Sequence, residues 1–150
     1  MNTNLSRRQL SFLLPALAAA AEARQGPAAQ PAPLEVLKSK VYPSDKIPYT
    51  GNDQKKGRRF LYGSTHTGFH VEVHETVLAP GLETHPPHKH EHEEFVIVME
   101  GTVEANLDGD KHTVPAGSIL FFGSNQMHNA RNVGTTPCRY YVVELRGSEA

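Results

Sequence analysis

From Arg58 onward, apolar and polar residues alternate in short runs, and Gly, Pro, Asn and Asp punctuate them every few positions. A period of two places successive side chains on opposite faces of a strand, and no segment carries a helical apolar stripe of useful length. The pattern predicts strands at Arg58–Gly63, Phe69–Leu78, Glu94–Glu100, Thr102–Leu107, Lys111–Val114, Ser118–Phe122, His128–Asn132 and Arg139–Leu145. Val36–Val41 is expected to pair at an edge. Asp108-Gly109, between two such runs, predicts a two-residue hairpin, because that turn needs positive φ.

Two of the runs say more about their surroundings. Phe69, Val71, Val73 and Val77 alternate with His70, Glu72, His74 and Thr76, so the first set is expected to face the core and the second water. In Glu94–Glu100, Phe95, Ile97 and Met99 oppose Val96 and Val98, so this strand is expected to be covered on both sides. Many short antiparallel strands between Leu34 and Arg146 indicate an all-β barrel or jelly roll, which manages its edges by curling.

Composition narrows the chemistry. The 150 residues hold 15 Lys+Arg against 16 Asp+Glu, a net charge of −1, and no basic run in the body, which argues against nucleic-acid binding. Length and balance fit one globular domain. Nine His stand beside one Cys and no Trp. Cys138, having no partner for a disulfide, reads as a core or strand residue.

The N-terminal region is of another kind. Ser6-Arg7-Arg8-Gln9-Leu10 precedes an apolar stretch ending at Ala21, too short to span a bilayer of about 30 Å and followed by the small-residue pattern Ala21-Glu22-Ala23. Residues 1–23 are expected to be a removable export signal, cleaved after Ala23, and the Arg pair resembles a twin-arginine signal. That implies a periplasmic or secreted protein with no membrane association once the signal is removed. Residues 24–33, with three Pro and no hydrophobic period, read as a flexible linker before a domain over 34–150.

The densest set of metal-capable side chains runs from His85 to Glu94. His88 and His90, two apart, point to one face of extended backbone, and Glu94 continues at matching parity with Val96 and Val98 below it. An imidazole pair plus a carboxylate holds a borderline divalent ion and leaves positions open. His128, after the turn Gly123-Ser124-Asn125, is the natural further ligand. A clamp of His90 with His92 is the competing arrangement.

These residues carry a resemblance. Gly81, His88, His90, Glu94 and Gly101 are similar to the first cupin motif, with one extra residue after Gly81. Gly117, His128 and Asn132 are similar to the second, with Gly123-Ser124-Asn125 where the family has Pro-x-Gly. Asn tolerates the left-handed conformation, so the turn is expected to survive. The resemblance spans about Arg58 to Leu145 and implies a single-domain cupin jelly-roll barrel. It also implies metal ligation by His88, His90, Glu94 and His128, and a structural role for Asn132.

The resemblance further implies one divalent metal ion and, by analogy with metal-dependent cupin oxygenases, a small dioxygenase-like oxidoreductase acting on an oxygenated organic molecule. Glu94 would then be both ligand and catalytic proton carrier. The alternative is a non-catalytic cupin that binds a metal or small ligand. Folding and loading before export favour manganese or iron over nickel, copper or zinc. Protons are expected to strip the ion below about pH 5–6.

Around that centre, His85 is expected exposed near the mouth, with a part as proton shuttle or loose outer ligand as the alternative, and His66, His70, His74 and His112 at the surface. Phe122, Gln126, Met127 and Tyr140 are candidate lining residues, and Arg131 a candidate attractor of an anionic substrate. Apolar residues left over in Phe95–Met99 and Tyr140–Val143 point to a homodimer.

Overall fold

The computed structural model describes residues 33–147. The expected export signal at 1–23 and all of the linker except Pro33 lie outside them. Among the described residues nine strands form: β1 Thr50–Gly51, β2 Lys55–Ser64, β3 His70–Leu78, β4 Glu93–Glu100, β5 Thr102–Leu107, β6 Asp110–Pro115, β7 Ile119–Phe122, β8 His128–Asn132 and β9 Cys138–Arg146. Each strand expected from Arg58 onward is present, with ends displaced by at most a few residues. The strands make a six-stranded sheet, β1-β2-β3-β9-β4-β7, and a three-stranded sheet, β6-β5-β8, with antiparallel pairing throughout. This is an all-β jelly roll.

Local chemistry explains the pairing. At the β5–β6 hairpin, Asp108 has φ 52° and Gly109 φ 103°, the two positive angles that this turn demands. The Gly109 amide donates to Asn106 Oδ1 at 2.9 Å, and the Met127 amide to Asp108 Oδ1 at 2.9 Å, which ties the hairpin to the start of β8. Register shifts between Arg59 and Leu61 and between Val98 and Glu100 mark bulges that let the large sheet curve.

The inner faces of both sheets meet in one core. Leu78, Val96, Val98, Val103, Ala105, Val114 and Phe122 are buried there, together with Cys138, which behaves as the small core residue its isolation suggests. Val36–Val41 does not form the expected strand. Only Val36 bridges, in parallel with Ser64, while the Leu37 amide donates to Ser64 O and the Ser64 amide to Glu35 O. Beyond it Val41 is 81% exposed, with no apolar face to bury. Gly63 permits the close approach, since a Cβ there would sit 2.6 Å from Glu35 O.

In β3 the expected facing is reversed. His74 and Thr76 line the barrel interior with the fully buried Leu78, while Val71, Val73 and Val77 lie on the other face and are only half-buried. Alternation defines two faces but not which is inside, and here the interior end of the strand is polar because the cavity lies there. On β4, Val96 and Val98 are buried by the barrel interior, and the opposite face is the one expected to be covered by another sheet or subunit. Met99 is 43% exposed, and Ile119 and Phe121 beside it on β7 are exposed too.

On the outer face of β3, Glu75 is fully buried and accepts hydrogen bonds from Arg58 Nε, Arg139 Nη1 at 2.9 Å and Tyr49 O–H at 2.9 Å. Burial alone would raise the Glu75 carboxyl, but the bonds from Arg139, Arg58 and Tyr49 outweigh it and hold it below the usual range. A depressed carboxyl stabilises the fold above its unfolded value and loses that contribution as pH falls through the folded one. Glu75→Gln leaves two guanidiniums without their shared partner, so we expect a loss of about 3 kcal/mol at pH 7. The gap to the parent should be narrower at pH 3 than at pH 7, because acid below the ordinary carboxylate range moves the parent's depressed carboxyl toward its neutral form. Urea denaturation at both pH values reads this.

Candidate metal centre

His88 and His90 lie on irregular extended chain before β4, and β8 brings His128 to them. The backbones of His88 and His128 exchange two hydrogen bonds, at 3.0 and 2.8 Å. The Asn125 amide donates to His90 O at 2.7 Å. Asn125 adopts φ 59°, so the turn that lacks Pro-x-Gly keeps the left-handed residue it needs. Asn132 is fully buried; its side-chain amide donates to Leu78 O and Thr136 O, and its Oδ1 accepts from the Gly134 amide, a structural part in every bond.

Each of the three imidazoles has its Nδ1 at a backbone carbonyl: His88 at His128 O (3.3 Å), His90 at His92 O (2.8 Å) and His128 at Gln126 O (2.8 Å). A carbonyl only accepts, so each Nδ1 carries a proton, and in the neutral ring each Nε2 then keeps its lone pair. The ring nitrogens of the three come within 4.8 Å of one another. Glu94 joins them, with Oε1 3.0 Å from His90 Nε2 and Oε2 3.6 Å from His128 Nε2. His90 Nε2 and His128 Nε2 are buried without a hydrogen-bond partner. A neutral imidazole lone pair turned toward a carboxylate, away from water, leaves both groups wanting a proton or a cation between them. The donor set and the orphaned atoms fit a divalent ion.

His92 is drawn in as well. Its ring stacks on that of His90, centroids 3.5 Å apart and 5° from parallel, and its Nε2 lies 3.3 Å from Glu94 Oε1 and 3.4 Å from Glu144 Oε2. His90, His92 and Glu94 therefore form a second close group, the alternative clamp foreseen from spacing. The His92 Nε2 proton is engaged with carboxylates, so His92 orients Glu94 rather than offering a free lone pair. Burial, and then the neighbouring His90, lowers its pKa.

A cavity of about 340 Å³ opens on this group, with Val96, Phe122, Ala130 and Val142 on its apolar side and Thr76, Thr84, Asn129 and Tyr140 on its polar side. Phe122 stacks on His128 with centroids 4.3 Å apart, which fixes the ring plane. Burial pushes the Tyr140 phenol well above its usual range, so it remains a proton donor at physiological pH. Of the candidate lining residues, Phe122 and Tyr140 are there and Gln126 and Met127 are not; Gln126 contributes its carbonyl instead. Arg131 is exposed off the cavity and donates to Gly81 O at 3.0 Å. His85 lies at the mouth, its ring 4.0 Å from that of His88.

Sequence reasoning missed Glu72, His74 and Glu144. His74 was expected at the surface but lies inside the barrel, because the polar face of β3 is the inner one. The signal was available in part: β9 pairs Glu144 with both Glu72 and Glu94, and only pairing reveals that adjacency.

Burial, followed by the neighbouring His85 and His128, lowers the His88 pKa. A lowered pKa means more acid is needed to protonate the ligand, so bound metal should persist at pH 6 and be released toward pH 4. His128→Ala should weaken binding by at least about 100-fold, more than a typical supporting residue, whereas His112→Ala, exposed on β6, should change nothing. Elemental analysis after dialysis against a graded chelator measures both.

Comparison with known proteins agrees with this geometry. The family profile Cupin_2, a cupin domain, matches residues 74–144. An uncharacterized protein of Methanocaldococcus jannaschii is 29% identical over 97 residues, covering 63% of this chain and 77% of its own. Among solved structures, an RmlC-like cupin from Shewanella frigidimarina aligns with TM-score 0.59 at 19% identity, over 74% of this chain and 95% of that one. A predicted oxalate decarboxylase from Thermotoga maritima gives 0.58 at 19%, over 71% and 98%. The polyketide cyclase RemF from Streptomyces resistomycificus gives 0.59 at 21%, over 72% and 80%. At these identities the structures speak to the fold alone. Both motifs close on one inner face, the cupin-domain profile matches the stretch from within β3 to within β9, and the solved neighbours share the fold.

Proposed function

We propose that the domain binds one divalent ion through His88, His90, Glu94 and His128, manganese or iron ahead of nickel, copper or zinc. We further propose that it oxidises a small oxygenated organic compound. The observation that carries this reading is the convergence of buried, unpartnered Nε2 atoms of His90 and His128 on the Glu94 carboxylate at the wall of a partly apolar cavity. When bound, the ion supplies a Lewis-acid position for an enolic or carbonyl oxygen and a redox centre for dioxygen.

The chain's own groups divide the remaining work. Glu94, steadied by His92, takes the proton of the substrate hydroxyl at Oε1 or Oε2. Tyr140 keeps its proton and donates to a developing oxygen anion. Val96, Phe122 and Val142 exclude water from one side, and the volume of about 340 Å³ suits a ligand at the small end of the usual range. Dioxygen is the oxidant, and both of its atoms pass into the product.

Metal-loaded protein should consume oxygen when given an enolic or phenolic compound from a broad panel. Glu94→Gln, reloaded with the same ion, should lose most of that uptake. Absence of uptake with manganese, iron, nickel and copper alike would leave the non-catalytic binder as the reading.

The export reading rests on Ser6-Arg7-Arg8 and the apolar stretch after it. We infer transport as a folded protein to the periplasm or beyond, and N-terminal sequencing of the exported form should begin at Arg24. A mature chain that starts at Met1 in the cytoplasm would overturn this.

A further inference from the structure

Farther along the inner face of the large sheet, and more exposed than Glu94, lies a cluster that the proposed reaction does not use. Glu72 and Glu94 both pair with Glu144, so three carboxylates occupy one rung across β3, β9 and β4. Like charges directly opposite one another on a sheet repel, and burial sharpens the repulsion. A rung of this kind is relieved by a proton or by a cation among its members. Arg59, 3.6 Å from Glu72 Oε2, has a side chain 61% exposed and therefore well screened, and Arg146, which lines a pocket with Glu72 and Glu144, is exposed as well.

His74 faces the same rung. Its Nδ1 lies 3.4 Å from Glu72 Oε1 and 3.8 Å from Glu144 Oε1, and this atom is buried with no hydrogen-bond partner. Two donors on one ion at about 2.1 Å stand about 3.0 Å apart at a right angle and about 3.4 Å apart at the tetrahedral angle. The Glu72 separation of 3.4 Å matches the tetrahedral value, and the Glu144 separation of 3.8 Å reaches it with a side-chain shift of a few tenths of an ångström. Burial favours the uncharged imidazole, which is the form that ligates.

We propose that Glu72, His74 and Glu144 bind a second divalent cation beside the first. Two carboxylates and one imidazole suit a borderline ion of the zinc, manganese or iron class. Their donor atoms lie within 4.8 Å of one another, and none of the three belongs to the set His88, His90, Glu94 and His128. His92 stands between the two groups, its Nε2 reaching Glu94 Oε1 and Glu144 Oε2. The second ion neutralises the rung and holds Glu144 in place against His92. It thereby steadies the residue that orients Glu94. The inference rests on the metal-binding reading of this barrel but not on any turnover.

The test is stoichiometric. The full chain, stripped by chelator, is titrated with Zn²⁺ or Mn²⁺ by calorimetry, and bound metal is counted by elemental analysis. The parent should take two equivalents per chain. His74→Ala and Glu72→Gln should each take one, and His128→Ala should retain one, with His112→Ala as the control for adventitious histidine binding. Circular dichroism of each variant separates lost ligation from lost fold, and the milder Glu72→Gln carries the test if His74→Ala does not fold. A single equivalent in the parent, lost in His128→Ala and unchanged in His74→Ala and Glu72→Gln, would overturn the second site and leave the first standing. A single equivalent lost in His74→Ala but kept in His128→Ala would instead overturn the first.

Discussion

The centre depends on three hydrogen bonds from imidazole Nδ1 atoms to main-chain carbonyls. Free histidine divides its proton between two nitrogens, and a site built from unrestrained rings would present lone pairs at random. Here the carbonyls of His128, His92 and Gln126 each claim one Nδ1 proton, so the opposite nitrogens all become acceptors aimed inward. The carbonyls belong to the backbone, so no second side chain had to be specified. The constraint is written into the path of the chain, and for that reason no residue type in the sequence announces it.

That path is fixed by bonds between the two motifs. His88 and His128 hold each other through their main chains, and Asn125 in the second motif's turn fastens the carbonyl of His90 in the first. The turn therefore has a task beyond reversing direction. Left-handed geometry at Asn125 aims its N–H at His90, and a β-branched residue there would resist the positive φ and release that carbonyl. The hairpin at Asp108-Gly109 acts one step further out, since Asp108 Oδ1 receives the amide of Met127, the residue before His128.

Spacing in the sequence was enough to identify most of the strands, and the four proposed ligands came from the resemblance of two spaced motifs to the cupin pattern. Period-two alternation located the strands, Asp-Gly located the hairpin, and the parity of His88, His90 and Glu94 put them on one face. What stayed illegible has one physical cause: alternation separates faces without ranking them. For β3 the apolar side looked like the inner one, yet His74, Thr76 and Leu78 turn inward, while Glu75 on the other side buries a carboxylate under Arg58, Arg139 and Tyr49. Both departures come from neighbours distant in sequence. The rung of Glu72, Glu144 and Glu94 is the same kind of fact, since its members lie on three strands and touch only once β9 is inserted between β3 and β4.

The barrel interior is thus divided along its length, and the division makes the chemistry possible. Toward one end Leu78, Val98 and Val103 are fully buried and supply apolar packing, with Phe122 closing under His128. Toward the other, the same strands carry carboxylates and imidazoles in place of that packing, at a cost in stability that apolar residues would not incur. Burial among them pushes the Glu144 carboxyl up to about 7, with Glu72 and Glu94 adding to the effect. A carboxyl so displaced reports crowding of negative charge that solvent does not relieve. On the opposite face the buried pairing of Glu75 with Arg58 and Arg139 ties β3 to β2 and β9. Structural charge on the outer face and chemical charge on the inner face are therefore kept apart by the thickness of a single sheet.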